Sequence, residues 1–359
     1  MTNTRSIVFV RSGVPLAVLS SDVPAPRPGE MLVRVSLAGV CGTDAHRLRG
    51  DLAAPAAPVC FGHEAVGVIE TLGDGADRDR AGAPLAVGDR VYWHRPTSCG
   101  ECRACTVDEY PVACEKLVWP TPADHPNAAG FQELATLGPR NIVFRIPDGT
   151  SDEAVIAFGC AMPTALAGFR RLGPVGKSVL IQGCGPVGLA CVVTARQAGA
   201  DQIIVIGDPA GRLDVATRLG ATHTIPLRGT TVESRRRLVM ELTDGHGMDA
   251  IVEAAGHPSA FDEGFDLLAP NGRYLILGLY SGRAVLPVDL VRVNNRNLRI
   301  IGSLGARDDE YRRTVEIATE YGEKLDFAGL VTHRFPLDRT EEAIRMAASG
   351  VPVKTVVEP

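Results

Sequence analysis

Short apolar runs cut by glycine and proline dominate roughly the first 150 residues. Met31–Leu37, behind Pro28-Gly29, predicts a strand. Ala65–Glu70 predicts a second, ending in a Gly- and Asp-rich turn, and Asp89–Tyr92, after Gly88, a third. Residues 73–88 show no period and predict a surface loop. Strands this short, with turn residues this frequent, predict a β-rich, barrel-like domain. The pattern changes near Asp152, which predicts a helix N-cap opening a helix that runs to Arg171. Beyond it, apolar strands alternate with helical segments. The predicted order is strand Ser178–Gln182, helix Val187–Ala198, strand Gln202–Ile206, helix Arg212–Leu219, then strands Ala250–Ala254 and Arg273–Leu277. That alternation predicts the α/β class, with a doubly wound parallel sheet. From about Asn297 the chain predicts one helix, Asp309–Tyr321, and a closing strand, Val353–Val357, expected to rejoin the first domain. No internal repeat or low-complexity segment interrupts this plan.

Composition narrows the class. A chain of 359 residues exceeds one ordinary core and implies two domains. Hydrophobic residues at 45% and charged residues at 22% are ordinary for a globular protein. A net charge of −5 offers no footprint for nucleic acid or an anionic membrane. No apolar run reaches the ~18 residues of a transmembrane helix, and Met1–Arg11 lacks the apolar core of a signal peptide. The nine cysteines are an odd number and are clustered, which favours metal binding over disulfides and a cytoplasmic setting.

The cysteines fall into two groups. Cys99, Cys102, Cys105 and Cys114 follow C-x2-C-x2-C-x8-C, and four thiolates complete a tetrahedron around zinc. This set reads as a closed structural site, a staple for an otherwise loose loop. Cys41 lies upstream of Gly62-His63-Glu64, and Cys160 comes much later. Two thiolates and an imidazole leave one zinc position open for water or substrate, the mark of a catalytic site. Alone, Cys41 reads as a buried core thiol; its company reverses that. The run Gly183-Cys184-Gly185-Pro186-Val187-Gly188 follows a strand and opens a helix, the context of a dinucleotide-binding turn. Its glycines let the backbone approach a pyrophosphate at the helix start. Together these features predict zinc-assisted hydride transfer.

The segments Cys41-Gly42-Thr43-Asp44-Ala45-His46 and Gly62-His63-Glu64, the four-cysteine lobe and the Gly183 turn resemble those of the zinc-dependent medium-chain alcohol dehydrogenases, in the same order and over essentially the whole chain. The resemblance implies a catalytic GroES-like domain, residues 1–158 and 298–359, split around a Rossmann domain, residues 159–297. It implies Cys41, His63 and Cys160 as ligands of a catalytic zinc and the four-cysteine lobe as a structural zinc site, two ions per subunit. The family usually has seven residues between the third and fourth cysteines; here there are eight, which a one-residue bulge would absorb. Glu64 would lie behind the metal or reach it during water exchange, with Lys354 as its basic partner. Asp44 would hold His63 through its second ring nitrogen. Zinc lowers the pKa of an alcohol, so that hydride can leave for the nicotinamide. Thr43 would take the alcohol proton and His46 would deliver it to water, by way of the cofactor ribose. Gly183, Gly185, Pro186, Val187 and Gly188 would meet the dinucleotide.

The acidic residue that binds the adenosine ribose falls on Gly207 by family register, with Asp208 next to it. Asp208 would repel a 2′-phosphate and favours NAD, while Arg212 leaves NADP as the alternative. The family's pocket positions fall on Trp93, His94, Arg95 and Trp119. An arginine at position 95 suits an anionic substrate, a hydroxy acid or hydroxyphosphonate, by paired hydrogen bonds. The expected substrate is a small alcohol or carbonyl compound, with polyol, sugar or secondary-metabolite alcohols as alternatives. A non-catalytic redox sensor that binds zinc and nucleotide is the reading from another class. Asn297–Ser303 resembles the family's edge strand that pairs across a two-fold, implying a homodimer or homotetramer.

Overall fold

The structure, a computed structural model, describes residues 2–52, 58–95, 98–108, 110–117, 119–278 and 284–359. Two compact units divide the chain: Met1–Pro163 with Ala306–Pro359, and Thr164–Gly305.

In the first unit the main sheet runs in the order Val331–Pro336, Lys354–Glu358, Met31–Gly39, Glu64–Leu72, Arg90–His94, Ile142–Arg145, and Leu134–Leu137 also pairs with Met31–Gly39. Met31–Gly39 has pairing partners along its length, and seven of its nine residues are buried, which is why its sequence reads apolar rather than alternating. A second sheet holds Ala17–Val23, Thr2–Phe9 and Val59–Cys60. Phe61, Val91, Trp93 and Phe131 belong to one continuous core, with Phe9 stacked on Phe61 at 5.1 Å. The C-terminal strand Lys354–Glu358 runs parallel to Val331–Pro336 and antiparallel to Met31–Gly39.

The second unit is a six-stranded parallel sheet in the order His223–Pro226, Gln202–Gly207, Ser178–Gln182, Met248–Glu253, Leu268–Ile276, Arg299–Gly302. Numbered along the chain, that order is 3-2-1-4-5-6. It reverses between Ser178–Gln182 and Met248–Glu253, where open α/β sheets place their ligand crevice. Every residue of Ser178–Gln182 is buried, as a strand covered on both faces requires.

The predicted helix 152–171 is two helices, Asp152–Ile156 and Ala161–Leu172, and the cap is Ser151, whose hydroxyl accepts from the Ala154 N–H. Gly159, at φ +27°, breaks the run. The strand His223–Pro226 and the helices Val232–Leu242 and Thr340–Ala348 escape the sequence reading. The first is short and carries one buried residue, and the helices mix polar and charged residues into their apolar faces.

Candidate metal centre and dinucleotide turn

The three donors predicted for an open site are brought together by three separate turns. Cys41 precedes the helix Gly42–Arg49, and its N–H donates to Asp44 Oδ2 at 2.9 Å, a local capping bond that fixes the helix entry. His63 stands just before the strand Glu64–Leu72. Cys160 occupies the break between two helices. One donor atom from each of Cys41, His63 and Cys160 lies within 4.8 Å of the others. Among the described residues the set has no fourth protein donor. Two soft thiolates and an imidazole are the donor types zinc prefers, with one position left over.

The surroundings hold this set in place. Asp44, 2% exposed, sets Oδ1 3.4 Å from His63 Nδ1, leaving the other ring nitrogen for a metal. Burial alone opposes a charge on His63, but Asp44 and Cys41 carry its pKa well above the ordinary value. The Cys160 thiol, and then His63 against the opposing effect of burial, hold Cys41 well below the usual thiol range.

Glu64 is completely buried. One carboxylate oxygen accepts from Lys354 Nζ at 2.5 Å and the other from the Cys160 N–H. Burial pushes its pKa up, yet Lys354, His63 and the Cys160 amide outweigh burial and keep it below the ordinary value. A Cβ on Gly159 would stand 1.7 Å from Glu64 Oε2, so only glycine fits beside that carboxylate. Both of its oxygens are engaged, which places Glu64 behind the donor set.

Thr43 Oγ1 lies 3.8 Å from Cys41 Sγ, beside the donors. His46 points elsewhere: Nδ1 meets Asp51 Oδ2 at 2.9 Å and Arg49 at 3.1 Å. Among the described residues no hydrogen bond joins Thr43 to His46.

The four-cysteine lobe also converges. Cys99, Cys102, Cys105 and Cys114 offer sulfurs within 4.8 Å of one another, with pairs at 3.5 and 3.9 Å. Zinc–sulfur bonds of about 2.3 Å in a tetrahedron require about 3.8 Å. Backbone N–H groups of Glu101 and Cys102 point at Cys99 Sγ and pull its pKa down to about 6, while burial pushes Cys105 up to about 11. The longer spacing before Cys114 holds a short 3-10 turn, Pro111–Ala113.

The pocket residues diverge. Trp93, predicted to line the pocket, points into the core and donates Nε1–H to the Ala128 carbonyl at 3.0 Å. Strand alternation turns it away from its neighbour His94. His94 packs edge-on to His63, with centroids 5.6 Å apart, and lies against Tyr311 with the rings tilted at 35° and centroids 4.6 Å apart. Arg95 is 2% exposed and donates to the Cys60 carbonyl at 2.9 Å. Its Nε has no partner among the described residues. Burial lowers its pKa to about 10. Arg47, which the sequence reading missed, and Arg95 both lie over the Trp119 ring, at 4.0 and 4.8 Å. Tyr92 and Tyr311 were missed as well, although Tyr92 and His94 two residues apart on a strand already imply one shared face.

In the second unit Gly183, at φ +107°, follows the first parallel strand, and helix Pro186–Gln197 starts at once behind it with Gly185 as N-cap. A Cβ on Gly188 would lie 1.8 Å from the Gly183 carbonyl oxygen, so the turn closes only with glycine there. Pro186 and Val187 form the first helical residues; Pro186 has no N–H, so the free N–H groups gathered there begin at Val187. Asp208 directly follows the second strand, which ends at Gly207, and accepts from the Arg228 N–H at 2.9 Å. Arg212 Nη1 lies 4.0 Å from where a Gly185 Cβ would stand, beside the turn. This cradle fits a dinucleotide pyrophosphate.

Comparison with known proteins agrees with this geometry. Residues 27–148 match the alcohol dehydrogenase GroES-like domain and residues 186–320 match the zinc-binding dehydrogenase domain. The chain is 40% identical over 336 residues to 5-exo-hydroxycamphor dehydrogenase of Pseudomonas putida, covering 93% of this chain and 92% of that one. It is 31% identical over 360 residues to L-threonine 3-dehydrogenase of Pyrococcus horikoshii, covering 98% and 97%. An alcohol dehydrogenase structure from Thermotoga maritima superposes with a TM-score of 0.92 at 30% identity over 100% of both chains.

Proposed function

This chain belongs to the zinc-dependent medium-chain alcohol dehydrogenase family, and on that premise we propose that it oxidises a secondary alcohol to a ketone, with NAD as hydride acceptor and Cys41, His63 and Cys160 as the ligands of its catalytic zinc. It is a dehydrogenase of a small-molecule substrate, with zinc and NAD(P) as cofactors. The observation that carries the finer reading is the convergence of two thiols and one imidazole, with no fourth protein donor among the described residues. Zinc bound there would polarise the substrate oxygen and lower the pKa of its hydroxyl. The chain's own residues do the rest. Asp44 orients His63, Glu64 and Lys354 fix the peptide before Cys160, and Thr43, beside Cys41, takes the hydroxyl proton. Thr43 hands on its own proton as it takes that one, and His46, paired with Asp51 and not hydrogen-bonded to Thr43, releases a proton to solvent. Cys99, Cys102, Cys105 and Cys114 would hold a second, structural zinc.

A secondary alcohol is favoured because the relatives named above are dehydrogenases of hydroxycamphor and threonine, both of which carry a secondary hydroxyl. NAD is favoured because Asp208 directly follows the second strand, where its charge opposes a 2′-phosphate. Arg212 beside the glycine turn supports NADP as the second reading. An anionic substrate is supported by one observation: Arg95 is buried, has no carboxylate partner among the described residues, and shares the Trp119 ring with Arg47. Buried guanidinium groups call for an anion. The edge strand Arg299–Gly302, with Ile300 41% exposed, supports pairing with a second copy into a homodimer or homotetramer. Among the described residues no helix is long and apolar enough to cross a membrane. Two thiol clusters that must stay reduced to hold metal favour the cytoplasm.

NADH and NADPH absorbance, followed with purified enzyme over neutral and anionic secondary alcohols, tests this. Turnover of neutral alcohols with NAD is the expected result. Turnover confined to anionic members, with KM raised by Arg95→Met, would establish the anionic reading instead. One zinc per chain, with no turnover of any alcohol, would leave the non-catalytic sensor.

A further inference from the structure

We propose that Tyr92, His94 and Tyr311 form an aromatic brace that positions two of the three zinc ligands, Cys160 and His63; this rests on the zinc reading above. Tyr92 and His94 lie two residues apart in the strand Arg90–His94, so both side chains leave it on one face. Tyr311 comes from the helix Asp308–Tyr321 and meets both, at 6.4 Å from the Tyr92 ring and 4.6 Å from the His94 ring. All three are buried, at 0%, 8% and 6% exposure.

Each end of the brace reaches a ligand. The Tyr92 hydroxyl donates to the Gly159 carbonyl at 3.1 Å. Glu64 accepts from the Cys160 N–H. That carbonyl and that N–H belong to the same peptide group, the one that delivers Cys160. It is therefore pinned from both sides, by a phenol and by a carboxylate. The clamp is needed at this point because Gly159 has no side chain to pack and Glu64 leaves room for none. At the other end, His94 sits at 81° to His63, while Asp44 holds the Nδ1 edge of the same ring. Asp44 fixes which nitrogen faces the metal, and the His94 ring limits how far the His63 ring can tilt. No hydrogen bond involves the His94 side chain among the described residues, so it acts through ring contact alone. A positioning role follows for all three residues, and none of them touches substrate in it.

The test uses the zinc-loaded enzyme and reads total metal release to 4-(2-pyridylazo)resorcinol, together with the absorption bands of enzyme carrying cobalt at the catalytic position, whose loss reports release from that site alone. Tyr92→Phe removes one hydroxyl and keeps the ring. It should speed loss of the catalytic metal by about 10- to 100-fold, the usual effect of removing a group that orients a ligand. It should shift the cobalt bands and leave release from the four-cysteine lobe unchanged. His94→Leu should do the same to a lesser degree, and His94→Phe should restore the wild-type rate. Wild-type release and unshifted bands in Tyr92→Phe and His94→Leu would overturn the brace. So would equal acceleration from both sites, which is the mark of general loosening. Wild-type enzyme holding metal in the four-cysteine lobe alone would overturn the zinc reading itself, and that result is read before any variant is made.

Discussion

The two cysteine groups use similar donors and are built in opposite ways. Cys99, Cys102, Cys105 and Cys114 come from one short stretch and are held by its own backbone amides, so the lobe needs little from the rest of the unit. Cys41, His63 and Cys160 come from segments more than a hundred residues apart at the extreme, and they rely on neighbours outside the set: Asp44 for Cys41 and His63, His94 for His63, and Tyr92 with Glu64 for Cys160. A site that must stay closed can be coded locally. A site that must keep one position open cannot saturate the metal, so its geometry has to be imposed from outside the donor set.

The sharpest way to break this contrast is to remove one donor from each side. Cys41→Ser should empty the open site, drop the metal content from two ions to one per chain, and lower kcat by at least about a thousandfold, since several kcal/mol of charge stabilisation disappear with the ion. Metal analysis beside steady-state kinetics checks this, and retention of both ions with normal turnover would refute it. Next in size is the support of the open site. Lys354→Met leaves Glu64 buried without its cation, which should reduce stability by about 3–5 kcal/mol in urea unfolding, with Glu64→Gln/Lys354→Met recovering much of the loss. In the closed lobe, Cys105→Ser should cost the structural zinc and lower Tm by roughly 5–10 °C, the shift for about 2–3 kcal/mol, while the catalytic metal stays in place. The smallest expected change is Asp44→Asn, which weakens catalytic metal affinity about tenfold with the fold intact, measured by competition with a chelator.

Legibility followed the same division. The four-cysteine spacing and the glycine turn were readable because each is local: the ligands or glycines sit a few residues apart, and the chemistry fixes their spacing. The inner parallel strands were readable from their continuous apolar runs, whereas the edge strand His223–Pro226, with one buried residue, was not. Cys41, His63 and Cys160 carry no mutual spacing, so their donor chemistry suggested the set and the resemblance assigned it. Trp93 was misplaced because family register marks a position and not the face of the strand it occupies; alternation sends Trp93 to the core and His94 to His63. The helix at 152–171 was drawn unbroken because its residues favour helix on both sides of Gly159. The break answers to Glu64, a long-range partner invisible to any local window. Arg95 showed its identity in the sequence but not its burial against Cys60 and Trp119.

The placing of Lys354–Glu358 beside Met31–Gly39 has a consequence for how the chain is made. On the ribosome, the segment Thr164–Gly305 is complete before the last strand is synthesised, and domains generally fold as units from the N-terminal side. Until the last few residues emerge, Met31–Gly39 lacks its partner along Gly39 and Ala38, and Glu64 waits in an apolar interior without Lys354. The metal-holding unit is thus finished last although most of it is translated first, and a nascent chain stalled after Gly305 would carry a closed nucleotide-binding unit beside a catalytic one still open.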